Sequence, residues 1–239
     1  MMNLHFVLNA KGGIGKSFIS SLLCQYLLFK NENILAIDTD PNNTTLYNTK
    51  ALKAKFLQLI SEDGNFNVRE FDKIIEITFE KKHDNIIIDS GATTFIPLVS
   101  YLKENEIINL LKDNEINVYM HVPIVGGQAR DDTILGLTQL IQAFDSSFIV
   151  WINEYHGKLL KDNKEFEEFE EYQKIKEKIV AIVYLNLLSK DTFGKDLSDM
   201  TSLNLTFDEV MKDKDFSLMS KQRLKIFRDR AFKQLELIL

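Results

Sequence analysis

The 239-residue chain has one cysteine, three prolines, ten glycines and one tryptophan. A single thiol, Cys24, excludes an intramolecular disulfide framework and any metal cage or cluster built on several thiolates, and it favours a reducing compartment. With only Pro41, Pro97 and Pro123, and no Pro/Gly/Ser-rich stretch, no linker stands out. No apolar run reaches the roughly 18 residues of a membrane span. The first residues show no positive stretch leading into an apolar one, so no secretory signal is read and a cytoplasmic location is expected. A basic excess is missing as well: 29 Lys and Arg against 35 Asp and Glu give a formal charge of −6. The overall field therefore repels nucleic acid and anionic membrane, and any such contact needs a local basic patch. No period of 20–50 residues recurs.

What is present reads as globular. Hydrophobic residues make up 45% and charged residues 27%, enough to bury a core without cross-links. Short apolar runs are expected as strands at Leu4–Leu8, Ile34–Ile37, Asn85–Ile88, Val118–Val122, Phe148–Ile152 and Val180–Leu185. Helical patterns lie between and after them, at Lys16–Lys30, Asn67–Lys81, Pro97–Lys112, Asp132–Phe144, Lys164–Lys178 and Ser217–Ile238. The near-continuous apolar runs suit strands buried on both faces. Alternation along the whole length predicts one α/β domain over residues 1–239, a doubly wound, mostly parallel sheet flanked by helices. Ligands in such folds bind at the carboxyl ends of the strands.

The first of those ends carries Asn9-Ala10-Lys11-Gly12-Gly13-Ile14-Gly15-Lys16-Ser17-Phe18. Glycines at 12, 13 and 15 let backbone N–H groups turn inward around phosphates, and the next helix adds its positive dipole end. Lys16 would bridge phosphate oxygens and the Ser17 hydroxyl would ligate Mg²⁺. The alternative is a Gly-rich turn with incidental lysines; six fixed residues match by chance on the order of 10⁻⁷ per start position. The segment resembles the deviant Walker A sequence of the ParA/MinD family of P-loop ATPases. That resemblance implies a P-loop NTPase fold, ATP and Mg²⁺ as cofactors, nucleotide contacts from Gly12, Gly13, Ile14, Gly15, Lys16, Ser17 and Phe18, and a homodimer closed by ATP. It also implies that Lys11 reaches a partner's nucleotide phosphates; a solvated lysine is the alternative.

Two carboxylate segments follow in the family's order. Asp38-Thr39-Asp40-Pro41 looks like its Asp-x-Asp-Pro switch, which implies that Asp40 orients the attacking water; an Asx-Pro turn is the competing account. Asn42 stands where ParA proteins usually carry Gln. The run Ile86-Ile87-Ile88-Asp89 is a Walker B arrangement with Asp89 holding Mg²⁺, followed by Gly91 where MinD proteins have proline. Asn153 after the fifth long strand corresponds to the residue that hydrogen-bonds adenine in the family, or simply caps a turn. The residues after it do not form the Asn-Lys-x-Asp of guanine recognition, so ATP is expected over GTP.

Beyond these motifs, Trp151-Ile152-Asn153-Glu154, Phe166-Glu167, Thr206-Phe207-Asp208-Glu209 and the Gly126-Gly127-Gln128 loop resemble the TraL/StbB group of conjugative and mobilisable plasmids. The resemblance implies a plasmid or conjugation-system protein as partner. The Gly126–Gln128 loop is either partner-facing, nucleotide-sensing or a plain turn. Residues 221–233 hold six basic side chains (Lys221, Arg223, Lys225, Arg228, Arg230 and Lys233) against one acid, Asp229. Three accounts compete: a closing helix packed by its apolar stripe, a non-specific DNA contact, and a membrane-targeting helix, the last opposed by Asp229 and Glu236. The four histidines, at 5, 83, 121 and 156, show no ligand spacing. The expected function is a slow, partner-stimulated ATPase switch. A MinD-like membrane or cargo positioner, a metabolic P-loop ligase or kinase, a cysteine-bridged electron carrier and a module that holds ATP without cleaving it are the rivals.

Overall fold

A computed structural model describes residues 2–61 and 64–239. Each run of apolar residues becomes a strand: β1 (Met2–Val7), β2 (Ile34–Asp38), β4 (Asn85–Asp89), β5 (Ile116–Val125), β6 (Ser147–Asn153) and β7 (Ile179–Leu185). A two-residue strand, β3 (Lys55–Phe56), joins the edge beside β2 and was not expected from the sequence. The seven strands run parallel in the order β3-β2-β4-β1-β5-β6-β7. The chain winds outward from β1 in both directions, so the switch point of the topology lies at β1, and the crevice there is the expected ligand site.

Helices cover both faces. One carries α1 (Lys16–Phe29), α2 (Thr45–Asn48), α8 (Lys195–Ser202), α9 (Phe207–Lys212) and α10 (Leu218–Leu235), packed through residues such as Leu22, Leu23, Leu46, Met200, Phe207 and Leu224. The other carries α3 (Val68–Phe79), α4 (Phe95–Glu104), α5 (Ile107–Asp113) and α6 (Arg130–Ala143), packed through Phe71, Leu98, Leu111 and Leu137. Asn67 caps α3, its side chain accepting from the Glu70 amide. The closing helix buries Leu224, Phe227, Ala231 and Leu235, which matches the apolar stripe read from the sequence.

Two expected helices differ. Pro97–Lys112 is split into α4 and α5, because Glu106 takes a left-handed conformation (φ 49°) and ends the first helix. Lys164–Lys178 is mostly not α-helical: α7 spans only Glu170–Ile175, with 3₁₀ turns at Phe166–Glu168 and Lys176–Lys178. Here Phe166 and Phe169 both enter the core, and their spacing of three fits the tighter helix. The sequence reading also missed α8 and α9; a Thr206–Glu209 capping box starts the latter.

A line of polar side chains crosses the sheet inside the core beneath α1. Trp151 Nε1 donates to His121 Nδ1 at 3.0 Å, His121 Nε2 lies 3.0 Å from His5 Nδ1, and His5 Nε2 lies 3.1 Å from Asn85 Oδ1. The indole can only donate and the amide oxygen only accept, so each ring must be neutral with its proton on Nε2. Burial pushes the His5 pKa down to about 4 and holds His121 well below its ordinary value. The folded chain thus leaves His5 unprotonated where the unfolded chain takes a proton, and stability falls as pH drops from about 6.5 toward 4. The advantage of wild type over His5→Gln in denaturant unfolding should shrink by about 1.4 kcal/mol per pH unit across that window. A gap that stays constant with pH would contradict the neutral chain.

Candidate functional site

The loop between β1 and α1 is braced from several sides. Gly13 and Gly15 have φ of 73° and 92°, values that side chains rarely tolerate, and Gly15 caps α1. Asn9 Nδ2 donates to the carbonyls of Pro123 and Thr133, and its Oδ1 accepts from the Lys11 amide. Gly136 of α6 makes room for this brace, since a Cβ there would lie 2.9 Å from Asn9 Oδ1. Lys16 is 7% exposed, and its Nζ donates to the Lys11 carbonyl at 2.7 Å. Burial lowers its pKa, opposed by the charges of Asp89 and Asp40. Lys11 points outward and pairs with Asp132 at the start of α6 at 2.8 Å.

The carboxylates sit at the ends of β2 and β4. Asp89 is fully buried; Ser20 Oγ donates to its Oδ1 at 2.9 Å, while Oδ2 has no partner among the described residues. Burial drives its pKa up to about 7, helped by Asp38 and opposed by the Ser17 and Ser20 hydroxyls and by Lys16. Asp38 is equally buried, accepting from the amides of Asp40 and Tyr47, and burial raises its pKa too. Asp40 Oδ1 accepts from the amides of Asn42 and Asn43, so the Asx turn exists, with Oδ2 outside it. Gly91 is where the segments that follow β2 and β4 meet, because a Cβ there would lie 2.9 Å from Asp40 Cγ.

No cluster of three or more His, Cys, Asp or Glu able to hold a metal occurs among the described residues. Magnesium does not need one, since it takes one or two carboxylates or hydroxyls and fills its octahedron with water and phosphate oxygens. The unpartnered Asp89 Oδ2 and the adjacent Ser17 form such an oxygen donor pair.

Beside the loop lies a cavity of about 790 Å³, bordered by Gly13, Gly15, Ser17, Phe18 and Asn153. Residues 5–221 match the CobQ/CobB/MinD/ParA nucleotide-binding domain. The chain belongs to that family. It is 38% identical to the protein TraL of Escherichia coli over 238 residues, covering 99% of this chain and 98% of TraL. Its fold is similar to the MinD cell division protein of Aquifex aeolicus (TM-score 0.55, 15% identity, 98% and 97% of the two chains). It is also similar to a plasmid partition protein of Borrelia burgdorferi bound to AMPPNP (TM-score 0.50, 14% identity, all of both chains).

Several of the residues singled out in the sequence make contacts within the chain itself. Asn153 is engaged within the chain: Nδ2 donates to Ile14 O at 3.0 Å and Oδ1 accepts from the Tyr155 amide. The Gly126–Gln128 loop packs closely on its neighbour, since a Cβ on Gly126 would fall 2.3 Å from the Lys158 carbonyl. In α10, Arg223 is tied to the buried Asp196, and Arg228 to Asp208 and Asp229. The cationic face open to a partner is therefore reduced to Lys225, Arg230 and Lys233, with Lys221 half-buried. His5 and His121 are core residues, and His83 bonds Asn33.

Four residues at the site had not been singled out. Ser20 lies three and four residues after Ser17 and Lys16, on the same helix face, and helical spacing could have found it. Asp38 was visible in Asp-Thr-Asp. Asp132 and His156 touch the loop only through the fold, 121 and 143 residues away from their contacts, and left no local signal.

Two outcomes test this geometry. Asp89 holds a proton in the fold between about pH 3.8 and 7 that the unfolded chain has lost, so stability falls as pH rises across that window. Without Mg²⁺ or nucleotide, Asp89→Asn should be more stable than wild type at pH 8 by roughly 2–4 kcal/mol, the gap closing toward pH 5. In thermal melts, Arg223→Ala should lower Tm more than Lys225→Ala or Arg230→Ala, because it strands Asp196, 6% exposed, without its partner.

Proposed function

We propose that the chain is a Mg²⁺-dependent ATPase that works as an ATP-driven dimerisation switch in plasmid conjugation, stability or positioning. The observation that carries this reading is the convergence, at the carboxyl ends of β1, β2 and β4, of a braced phosphate loop, a buried carboxylate with a free oxygen, and a second lysine facing outward. Gly12 to Phe18 would hold the nucleotide, with Lys16 leaving the Lys11 carbonyl for the phosphates. Ser17 and Asp89 would hold Mg²⁺, whose charge offsets that developing on the phosphate oxygens. Asp40 Oδ2, outside the Asx turn, would accept a hydrogen bond from the attacking water.

The full-length likeness to TraL supports a plasmid setting, and the AMPPNP-bound fold neighbour supports an adenine nucleotide. Asn153, at the rim of the cavity, keeps a second amide hydrogen with which to meet the base. Among the described residues the Lys11 ammonium is held by one exposed ion pair, of the kind that contributes little net stability, and would exchange it for a phosphate on a second copy. The cysteine-bridged electron carrier loses support because Cys24 is buried within α1. No described helix is long and apolar enough to cross a membrane. The apolar stripe of α10 faces the core, which disfavours its use on a lipid surface. Any DNA contact through 221–233 would rest on Lys225, Arg230 and Lys233.

Nucleotide titration and light scattering test the reading together. Lys16→Ala should lose ATP binding by at least tenfold. Lys11→Ala should keep ATP binding but stay monomeric, and Asp40→Ala should accumulate an ATP-bound dimer. A Lys16→Ala protein with normal affinity would refute the phosphate loop, and an Asp40→Ala protein monomeric at saturating ATP would refute the switch.

A further inference from the structure

One short segment, at the end of β6, holds two successive carbonyls of the phosphate loop. Asn153 Nδ2 donates to Ile14 O at 3.0 Å, and His156 Nε2 lies 3.0 Å from Gly13 O. A carbonyl oxygen only accepts, so His156 carries a proton on Nε2 and donates it. In a trans peptide the C=O and the following N–H point in opposite directions. Fixing the Gly13 carbonyl toward His156 therefore turns the Ile14 N–H to the other side, and fixing the Ile14 carbonyl does the same for Gly15 N–H. Successive N–H groups turned to one side form an anion-binding nest.

Of the two peptides, the one at Gly13 is the less constrained. Its residue has φ 73°, and a Cβ there would meet no atom within 4 Å, so the loop is open on that side. The restraint comes from the imidazole, which is itself steadied by Tyr155, whose ring meets it perpendicularly at 5.1 Å. The His156 carbonyl lies next to Gly127, 3.3 Å from where a Cβ on that glycine would stand.

We infer that His156 is a positioning residue for phosphate binding, which pins the Gly13 peptide so that the loop presents its N–H groups before any ligand arrives. The inference rests on the reading of residues 11–17 as a phosphate loop. It assigns to a histidine distant in sequence a part of the preorganisation that glycines alone do not give.

The test measures binding of ATP and of inorganic pyrophosphate to wild type, His156→Ala and His156→Gln, with amide NMR of the nucleotide-free proteins. His156→Ala should weaken both ligands by about three- to tenfold, the size of one lost hydrogen bond. His156→Gln, which keeps a donor, should recover to within about twofold of wild type. The Ile14 amide signal should move in His156→Ala and return in His156→Gln. Loss of ATP affinity without loss of pyrophosphate affinity would overturn the inference, because the ring would then be touching the nucleoside. Unchanged binding in His156→Ala, or a Gln variant no better than Ala, would overturn it as well. Lys16→Ala is the separate control: if it binds pyrophosphate as wild type does, the phosphate-loop reading itself fails, whatever His156 does.

Discussion

The structure is organised around charge held in a dry place. At the ends of β2 and β4, Asp38 and Asp89 are both fully buried, and the nearby Lys16 ammonium is spent on a backbone carbonyl. A charged carboxylate without a partner is expensive in such a position, and burial raises the Asp89 pKa to about 7. The hydrophobic strands make this possible, since every residue of β4 is buried. The same burial that stabilises the sheet leaves an Asp89 oxygen at its carboxyl edge without a partner among the described residues, which supports the divalent-ion site proposed above.

The loop that would deliver those phosphates is not self-supporting. Asn9 ties it to β5 and α6, Lys11 reaches Asp132 on α6, and Asn153 with His156 ties it to β6. Three glycines far apart in sequence accommodate these approaches: Gly136 beneath Asn9, Gly91 against Asp40, and Gly126 against the turn after β6. The loop is thus in contact with the turns after β5 and β6, and the segments that follow β2 and β4 meet at Gly91.

Much of this was legible in the residues, for reasons that can be named. The six long strands declared themselves because buried parallel strands are continuous apolar runs, and the loop because phosphate cradles require glycine at fixed spacing. The short β3 carried no pattern, being two residues at an edge. Helices 4 and 5 read as one because a left-handed Glu106 has no signature of its own, unlike a glycine. The basic segment 221–233 looked more cationic than it is, since the carboxylates that neutralise Arg223 and Arg228 come partly from α8 and α9. Contacts such as His156 to Gly13 exist only once the sheet has formed. Local chemistry was readable; bracing from afar was not.

The line from Trp151 through His121 and His5 to Asn85 has a consequence for how this core can change. Its hydrogen bonds all run one way, with a pure donor at one end and an acceptor at the other, so reversing any link leaves two lone pairs or two hydrogens face to face. The four positions sit on four different strands, β6, β5, β1 and β4. Replacing one of the four side chains by one that cannot keep its donor or acceptor role would break the line unless its neighbours changed with it. The middle of the sheet is thus constrained as a set, and strand grafts into this fold would disturb it least if they left those four positions unchanged.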